Sequence, residues 1–297
     1  MAILTTRNLG KRYGERVGIE QVDLTVESGT VFGFLGPNGA GKTTAIRLLL
    51  GFLRPTVGEA KIFELDCWSR SHEIKRDTGY LPGDLRLYPW FNVKKALPIL
   101  SAAHGRDLRA AGMALAERFG LDPVTPVRKM SRGMRQKVGI VLALAHDPRL
   151  IVLDEPTSGL DPLVRLSLAA LLRERVKTGA TVFFSSHTLS EVESLCDRVA
   201  IVRRGRIVAD ESLDSLRARA RRRVELRFED EAAAATVEPP PFLDLLERDG
   251  DRWLAELDGE AGELRRWLAD RPVRDFTVGP PDLETIFHAY YRRDGAA

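Results

Sequence analysis

A glycine-rich stretch near the amino terminus has the residue types needed to hold a chain of phosphates. It reads GPNGAGKTT over residues 36–44 and follows the apolar run VFGFL. The spacing fits G-x-x-x-x-G-K-[ST] at every position, and such glycines let successive backbone N–H groups point at an anion. Lys42 is expected to reach the outer phosphates, and the Thr43 hydroxyl is expected to ligate Mg²⁺. The stretch predicts a site for a nucleoside triphosphate with magnesium, formed by Gly36, Pro37, Asn38, Gly39, Ala40, Gly41, Lys42, Thr43 and Thr44.

Two adjacent carboxylates supply the acidic groups that phosphoryl transfer needs. Asp154 and Glu155 end the continuous apolar run RLIVLDE, which is typical of a strand covered on both faces. Asp154 is expected to serve the metal side together with Thr43. Glu155 is expected to orient or deprotonate the attacking water.

The elements that must position these groups alternate between strands and helices, which predicts an α/β fold. TVFGFLG reads as a strand leading into the glycine loop, and TTAIRLLLG reads as a helix ended by Gly51. AILTTRNL and QVDLTVES read as half-buried strands, ATVFFSS as a buried strand, and RVAIVRRGRIVADE as a hairpin. Residues from 89 to about 145 have helical patterns, and LVRLSLAALLRERVKTG reads as an amphipathic helix.

The character of the chain changes after Leu213. LRARARRRVELR is rich in arginine, ATVEPPPF is a proline break, and two short strand candidates flank the helical stretch AGELRRWLAD. The sequence therefore predicts a first domain over residues 1–215 and a small α+β domain over residues 216–297.

Composition sets only broad bounds. The chain has 297 residues, 44% hydrophobic and 29% charged, with a formal net charge of +3, so charge alone does not argue for a nucleic-acid partner. No signal peptide and no apolar run long enough to cross a bilayer are evident. Cys67 and Cys196 have no metal or redox spacing and are expected to be reduced core residues of a cytosolic protein.

The stretch MSRGMRQK, Met130–Lys137, resembles the LSGGQ signature of ATP-binding cassette (ABC) proteins, and it lies upstream of the acidic strand as in that family. SGLD, which ends at Asp161, resembles the family's D-loop. FFSSH places His187 like its switch histidine, and KRYG places Tyr13 like the aromatic residue that stacks on adenine. The resemblance covers about residues 1–215.

The resemblance implies a P-loop NTPase core with an antiparallel β subdomain and a helical subdomain, about residues 89–145. It also implies that two copies pair head to tail and hold two ATP molecules between them. Each ATP would lie between the glycine loop of one copy and Ser131 and Gly133 of the other, with Asp161 nearby. Lys42, Glu155 and His187 would then be the catalytic residues, and ATP and Mg²⁺ the ligands.

Some positions depart from the family pattern. Arg132 replaces the first glycine of the signature and Met134 replaces its glutamine; both resemble variants of bacterial exporter subunits, so Ser131 and Gly133 keep their predicted roles. Gly83 and Asp84 stand where the Q-loop glutamine is usual. A glycine has no side chain to sense phosphate, and Asp84 is offset by one residue.

The segment Gly83–Leu97 lies where ABC ATPases meet their membrane partner. Tyr88, Trp90 and Phe91 either line a groove for a cytoplasmic helix of that partner or pack inside the helical subdomain, and the sequence leaves both open. The ending PPDLETIFHAYYRR resembles ATPase subunits of bacterial drug, antibiotic and lipid exporters. It implies a separate multispanning permease at the cytoplasmic face of the membrane, and a second copy or homologue of the ATPase.

Other functions remain as alternatives. An importer ATPase is the nearest. A soluble ABC protein of the ribosome usually carries two cassettes, whereas this chain has one Gly-Lys-Thr loop. DNA-repair relatives insert coiled coils or zinc modules, and neither is evident in the sequence. The arginine run 217–227 reads as a solvated helix face leading into a strand, with lipid headgroups or nucleic acid as alternative contacts. No nucleic-acid partner is expected.

Overall fold

The computed structural model describes residues 1–259 and 261–292. The chain divides into two compact units, Met1–Glu211 and Ser212–Ala297, a boundary four residues before the one predicted after residue 215. Within the described residues, no helix is both long enough and apolar enough to cross a membrane. Arg293, the last residue of the exporter-like ending, lies outside the described residues.

The first unit contains a four-stranded sheet of order β2-β1-β4-β5 and a six-stranded sheet of order β10-β9-β3-β8-β7-β6, whose edge strand β10 ends at the unit boundary. The strands are β1 Ala2–Tyr13, β2 Arg16–Glu27, β3 Val31–Leu35, β4 Val57–Ile62, β5 Leu65–Asp66, β6 Thr78–Leu81, β7 Leu150–Asp154, β8 Thr181–Ser186, β9 Arg198–Arg203 and β10 Arg206–Ser212. The first sheet pairs antiparallel throughout. The neighbours β9, β3, β8, β7 and β6 pair parallel in the second.

The three central strands explain why the candidate site forms where it does. Every residue of β3, β7 and β8 is buried, as continuous apolar runs predict for a sheet covered on both faces. Their parallel register pairs Leu35 with Ser186 and Asp154 with Ser185. The carboxyl ends of all three strands therefore meet at one edge of the sheet, where ligands bind in open α/β folds.

Helices connect these strands. They are α1 Lys42–Leu49, α2 Ser71–Arg76, α3 Val93–His104, α4 Arg109–Arg118, α5 Arg132–Leu144, α6 Pro162–Lys177 and α7 Leu189–Leu195, with a 3₁₀ turn at Val127–Lys129. Asn92 caps α3 by accepting a hydrogen bond from the Lys95 N–H. Helices α3, α4 and α5 occupy the segment predicted as helical, residues 89–145.

The second unit is a four-stranded antiparallel sheet of order β12-β13-β11-β14 with helices on its apolar face. Its elements are α8 Leu213–Arg219, β11 Arg222–Phe228, α9 Glu231–Thr236, β12 Leu243–Asp249, β13 Arg252–Leu257, α10 Ala261–Leu268, β14 Val273–Pro281 and α11 Leu283–Arg292. The fully buried Trp253 packs on Phe228 with ring centroids 4.8 Å apart. The arginine run 217–227 contributes the end of α8 and most of β11, as the helix-to-strand interpretation predicts.

Both cysteines are buried and unbridged. Burial raises the pKa of the Cys67 thiol to about 12, and it also raises the pKa of Cys196. Both side chains therefore keep their protons and pack as small apolar groups.

His146, two residues after the end of α5, is buried and stacks on His104 with ring centroids 4.2 Å apart. Burial is the main cause that lowers the pKa of His146 to about 4, and the charges of His104 and Arg106 contribute to the same shift. The unfolded chain titrates near 6.5, so the folded state stays neutral while the unfolded state gains a proton as pH falls.

His146 should therefore make the protein less stable in acid. Above pH 6.5 the protein keeps the full free energy of unfolding that depends on His146, and this contribution is lost as the pH falls from 6.5 to about 4. Between pH 7 and pH 5 we expect it to remove about 2 kcal/mol from the free energy of unfolding. Urea titrations at both pH values measure this drop in the free energy of unfolding. For His146→Phe the drop should be smaller than for wild type by about this amount. Equal losses in the two proteins would contradict the assignment.

The core of the second unit gives a simpler test. Leu226, fully buried in β11, should cost about 2–5 kcal/mol when changed to alanine. Leu246, half exposed in β12, should cost within about 0.5 kcal/mol under the same change. Chemical denaturation followed by circular dichroism measures both, and similar losses would disprove the described core.

Candidate functional site

The glycine loop lies between β3 and α1 and depends on residues without side chains. A Cβ at Gly36 would lie 2.4 Å from the Val202 carbonyl oxygen, so a larger residue cannot fit there. Gly41 has φ of 106°, in the left-handed region, and immediately precedes α1. The loop therefore delivers its backbone N–H groups and the helix N-terminus to the same point, which is a favourable place for an anion.

Lys42 is the cation at this point, and its side chain is only 5% exposed. Its ammonium group donates to the carbonyl oxygens of Gly36 at 2.7 Å and Pro37 at 3.2 Å. The same nitrogen lies 3.2 Å from a carboxylate oxygen of Glu155. A phosphate in the loop would compete with these partners for the ammonium.

Thr43, Asp154 and Ser185 form a second chain of contacts at the ends of the central strands. The Thr43 hydroxyl donates to Asp154 Oδ2 at 2.8 Å, and the Ser185 hydroxyl donates to Asp154 Oδ1 at 2.6 Å. Asp154 is 2% exposed, and these bonds hold its carboxylate in place. A threonine hydroxyl beside a carboxylate is the oxygen donor pair that Mg²⁺ prefers.

Glu155 has an unusual backbone for a residue with a side chain, with φ of 51°. Its N–H donates to the carbonyl and the hydroxyl of Ser185, both at 3.2 Å. One carboxylate oxygen faces Lys42, and the other lies 3.3 Å from His187 Nδ1. Lys42 and His187 therefore both contact Glu155 within one chain, which brings the three predicted catalytic residues together.

A cavity of about 540 Å³ opens over the glycine loop. Its lining consists of Tyr13, Arg16, Val17, Gly18, Asn38, Gly39, Gly41, Lys42, Thr43, Thr44, Arg47 and Glu155. Tyr13, at the end of β1, is 45% exposed, so its ring is partly open at the mouth of this cavity. Arg16 and Arg47 are not predicted from the sequence, because their cationic side chains follow no motif and reach the cavity only through folding.

A second cavity of about 550 Å³ adjoins the acidic residues and contains the atypical Gly83 and Asp84. A Cβ at Gly83 would lie 3.5 Å from Asp154 Oδ2, so the glycine leaves open the position beside that carboxylate. Asp84 is exposed and pairs with Arg86 at 2.8 Å. Burial and the charge of Asp154 raise the pKa of Tyr80, in the same cavity, to about 12.

Three predicted site residues, Ser131, Gly133 and Asp161, lie outside the two cavities beside the glycine loop, whereas Arg132 of the signature stretch lines the second one. Ser131 caps α5 by accepting from the Met134 N–H at 3.2 Å, and Asp161 caps α6 by accepting from the Val164 N–H at 3.0 Å. The other predicted site residues lie at the ends of the central strands, in the glycine loop or along the cavity over it.

The three aromatic residues of the segment Gly83–Leu97 differ in exposure. Tyr88 and Trp90 are 69% and 53% exposed, and their rings stack with centroids 5.7 Å apart. Phe91 is partly buried and meets Trp90 edge to face. Tyr88 and Trp90 therefore form an exposed aromatic surface, whereas Phe91 is partly buried.

Comparison with known proteins gives a consistent result. The family model described as "ABC transporter" matches residues 19–158. The bacitracin transport ATP-binding protein BcrA of Bacillus licheniformis is 34% identical over 297 residues, 96% of this chain and 96% of that protein. Nod factor export ATP-binding protein I of Burkholderia orbicola is 34% identical over 215 residues, 71% of each chain.

One solved structure shows the likeness of the folds. It is the dimeric ATP-binding cassette in a post-hydrolysis state bound to ADP and Pi, with a TM-score of 0.65 and 23% identity. The match covers 71% of this chain and 98% of that one. The predicted α/β fold, a P-loop core with an antiparallel sheet and a helical segment, is confirmed by this match.

Proposed function

The chain belongs to the ABC transporter family as an ATP-binding subunit with ATPase activity, and from that premise we propose that it powers export through a membrane permease. The observation that carries the catalytic part is the direct contact of Glu155 with both Lys42 and His187. Lys42 holds the outer phosphates, Glu155 takes a proton from the attacking water, and His187 holds the γ-phosphate. Tyr13 stacks on adenine.

Thr43 and Asp154 are the residues that would hold Mg²⁺. Their oxygens lie 2.8 Å apart beside the loop, and Ser185 fixes the carboxylate from the other side. The ion, when bound, neutralises charge on the β- and γ-phosphate oxygens. Asp154 needs no proton transfer in this scheme, and its buried position keeps the oxygens aligned.

A second copy completes the site. Ser131 is exposed at the N-terminus of α5 and lies outside the cavities of its own chain. We propose that Ser131 and Gly133 of one copy grip the phosphates bound by Lys42 of the other, with Asp161 at the same interface. The fold match to a dimeric cassette supports this arrangement.

The export direction rests on the relatives and on the carboxyl-terminal ending. Relatives that transport bacitracin and export Nod factor resemble this chain over 96% and 71% of its length. We propose a drug-, antibiotic- or lipid-like substrate, a separate multispanning permease, and a position at the cytoplasmic face of the membrane. We propose that residues from about 216 act as an accessory domain. An importer ATPase is the second candidate.

Copurification from native membranes tests the transport role. A tagged chain should retain a multispanning membrane protein in detergent, and reconstitution of the pair should show ATP-driven movement of substrate outward. Retention of ribosomes without such a membrane protein would contradict the proposal. Movement inward would replace export by import.

Glu155→Gln should separate binding from hydrolysis. The amide cannot take the proton from water, so turnover should fall roughly 10²- to 10⁴-fold while ATP binding and dimer formation persist. Phosphate release and size-exclusion chromatography with ATP measure the two properties. Glu117→Gln, an exposed acid on α4, is the matched control and should behave as wild type. Near-normal turnover of Glu155→Gln would remove the residue from its role.

His187→Ala should slow turnover while nucleotide affinity stays close to wild type, because His187 is assigned to the γ-phosphate and not to the main grip on nucleotide. We expect a loss of about 10²-fold or more. Binding of a fluorescent ATP analogue and steady-state hydrolysis distinguish the two effects. His72→Ala, on the exposed face of α2, controls for loss of an imidazole. An equal loss of affinity and turnover would show that the role is misplaced.

A further inference from the structure

The signature helix α5 is attached to the loop that follows the catalytic residue Glu155 of the same chain. Gln136, only 6% exposed, donates from Nε2 to the Pro156 carbonyl oxygen at 3.0 Å. One turn earlier, Arg132 donates from Nη2 to the Ser158 hydroxyl at 2.7 Å. Both side chains reach from one face of α5 to residues 155–161.

The two backbones also touch. A Cβ at Gly133 would lie 2.7 Å from the Gly159 carbonyl oxygen, and a Cβ at Gly159 would lie 3.3 Å from the Arg132 side chain. The start of α5 therefore has three points of attachment to the loop within its first five residues. A displacement of the helix start has to move the loop or break these contacts.

A displacement of the helix start is transmitted along residues 155–161 because this loop is fixed at both ends. It begins at Glu155, whose left-handed backbone is itself held by Ser185, and it ends where Asp161 caps α6. Within it, the Ser158 N–H donates to the Glu155 carbonyl at 3.3 Å. Ser158 is thus hydrogen-bonded on one side to Arg132 and on the other to the backbone of Glu155.

We propose that Arg132 and Gln136 are positioning residues that transmit the state of the signature to Glu155 of the same subunit. The inference rests on the proposed function, in which the signature grips nucleotide held by the partner copy. Nucleotide bound in one site then sets the position of Glu155 in the other site, and the two sites hydrolyse ATP cooperatively.

The link through Arg132 depends on the atypical residue at this position. A glycine, usual in the family at this place, has no side chain to reach Ser158. Arg132 supplies a guanidinium that spans the gap and donates a charge-assisted hydrogen bond. Gln136 supplies a second, buried link, whose loss would leave a carbonyl without its donor.

The test compares Arg132→Ala, Ser158→Ala and the double variant with wild type in the full-length chain. Hydrolysis is measured against ATP concentration, and nucleotide affinity is measured without Mg²⁺. Wild type should give a Hill coefficient between 1 and 2. Each single variant should lower kcat about 10-fold and bring the Hill coefficient close to 1, with affinity unchanged. The double variant should be no worse than either single variant, because both remove one link.

Two further variants serve as controls for the charge and for the surface position of Arg132. Arg132→Lys keeps a cationic donor and should recover part of the cooperativity. Arg128→Ala removes an exposed arginine from the turn before α5 and should match wild type. If Arg132 acted only by touching the partner's nucleotide, Ser158→Ala would behave as wild type and the two effects would add, which would overturn the proposal.

The outcomes also separate this inference from the function on which it rests. A wild type that forms ATP-dependent dimers and turns over cooperatively, with single variants unchanged, would overturn only the role of Arg132 and Ser158. A wild type that neither dimerises nor hydrolyses ATP would overturn the proposed function and this inference together.

Discussion

The buried ammonium of Lys42 is the constraint around which the site is organised. A charge removed from water needs close compensation, and here it comes from two loop carbonyls and the carboxylate of Glu155. The carbonyls lie in the right place because Gly36 allows the loop to pass against β9. The carboxylate lies there because β7 ends close to the end of β3. Both halves of the compensation therefore depend on the central parallel sheet.

The same sheet explains the division of labour between two neighbouring acids. Asp154 is the last residue of β7, so its side chain is buried and fixed by Thr43 and Ser185. Glu155 is one residue farther, and its left-handed backbone turns the side chain out toward Lys42 and His187. Asp154 is therefore fixed and suited to hold an ion, whereas Glu155 lies between Lys42 and His187. Backbone strain of this kind is common at functional sites.

Much of this arrangement can be predicted from the sequence because its signals are local. The glycine loop, the apolar runs of β3, β7 and β8 and the acid pair each lie within a few consecutive residues. The contacts of Arg47, Gly83 and Arg132 cannot be predicted in this way, because each joins residues that are distant in the sequence. Arg47 lies about one helical turn beyond the motif. Gly83 and Arg132 stand out in the sequence as departures from the family pattern, but the open position beside Asp154 and the contact of Arg132 with Ser158 across 26 residues of chain come only from folding. The helices and strands of the second unit are only partly predictable, because short strands with charged edges give weak periodicity.

Glu155 is therefore held from two directions that have different origins. On one side it contacts Lys42, and any phosphate in the loop changes that contact directly. On the other side its carbonyl accepts from Ser158, and the loop beyond it is bound to α5. If Glu155 were held only by Lys42, it would respond only to nucleotide in the glycine loop of its own chain. The contacts through Ser158 lead to the exposed start of α5. Glu155 therefore also responds to whatever binds at that helix start, and it becomes sensitive to the occupancy of a second site.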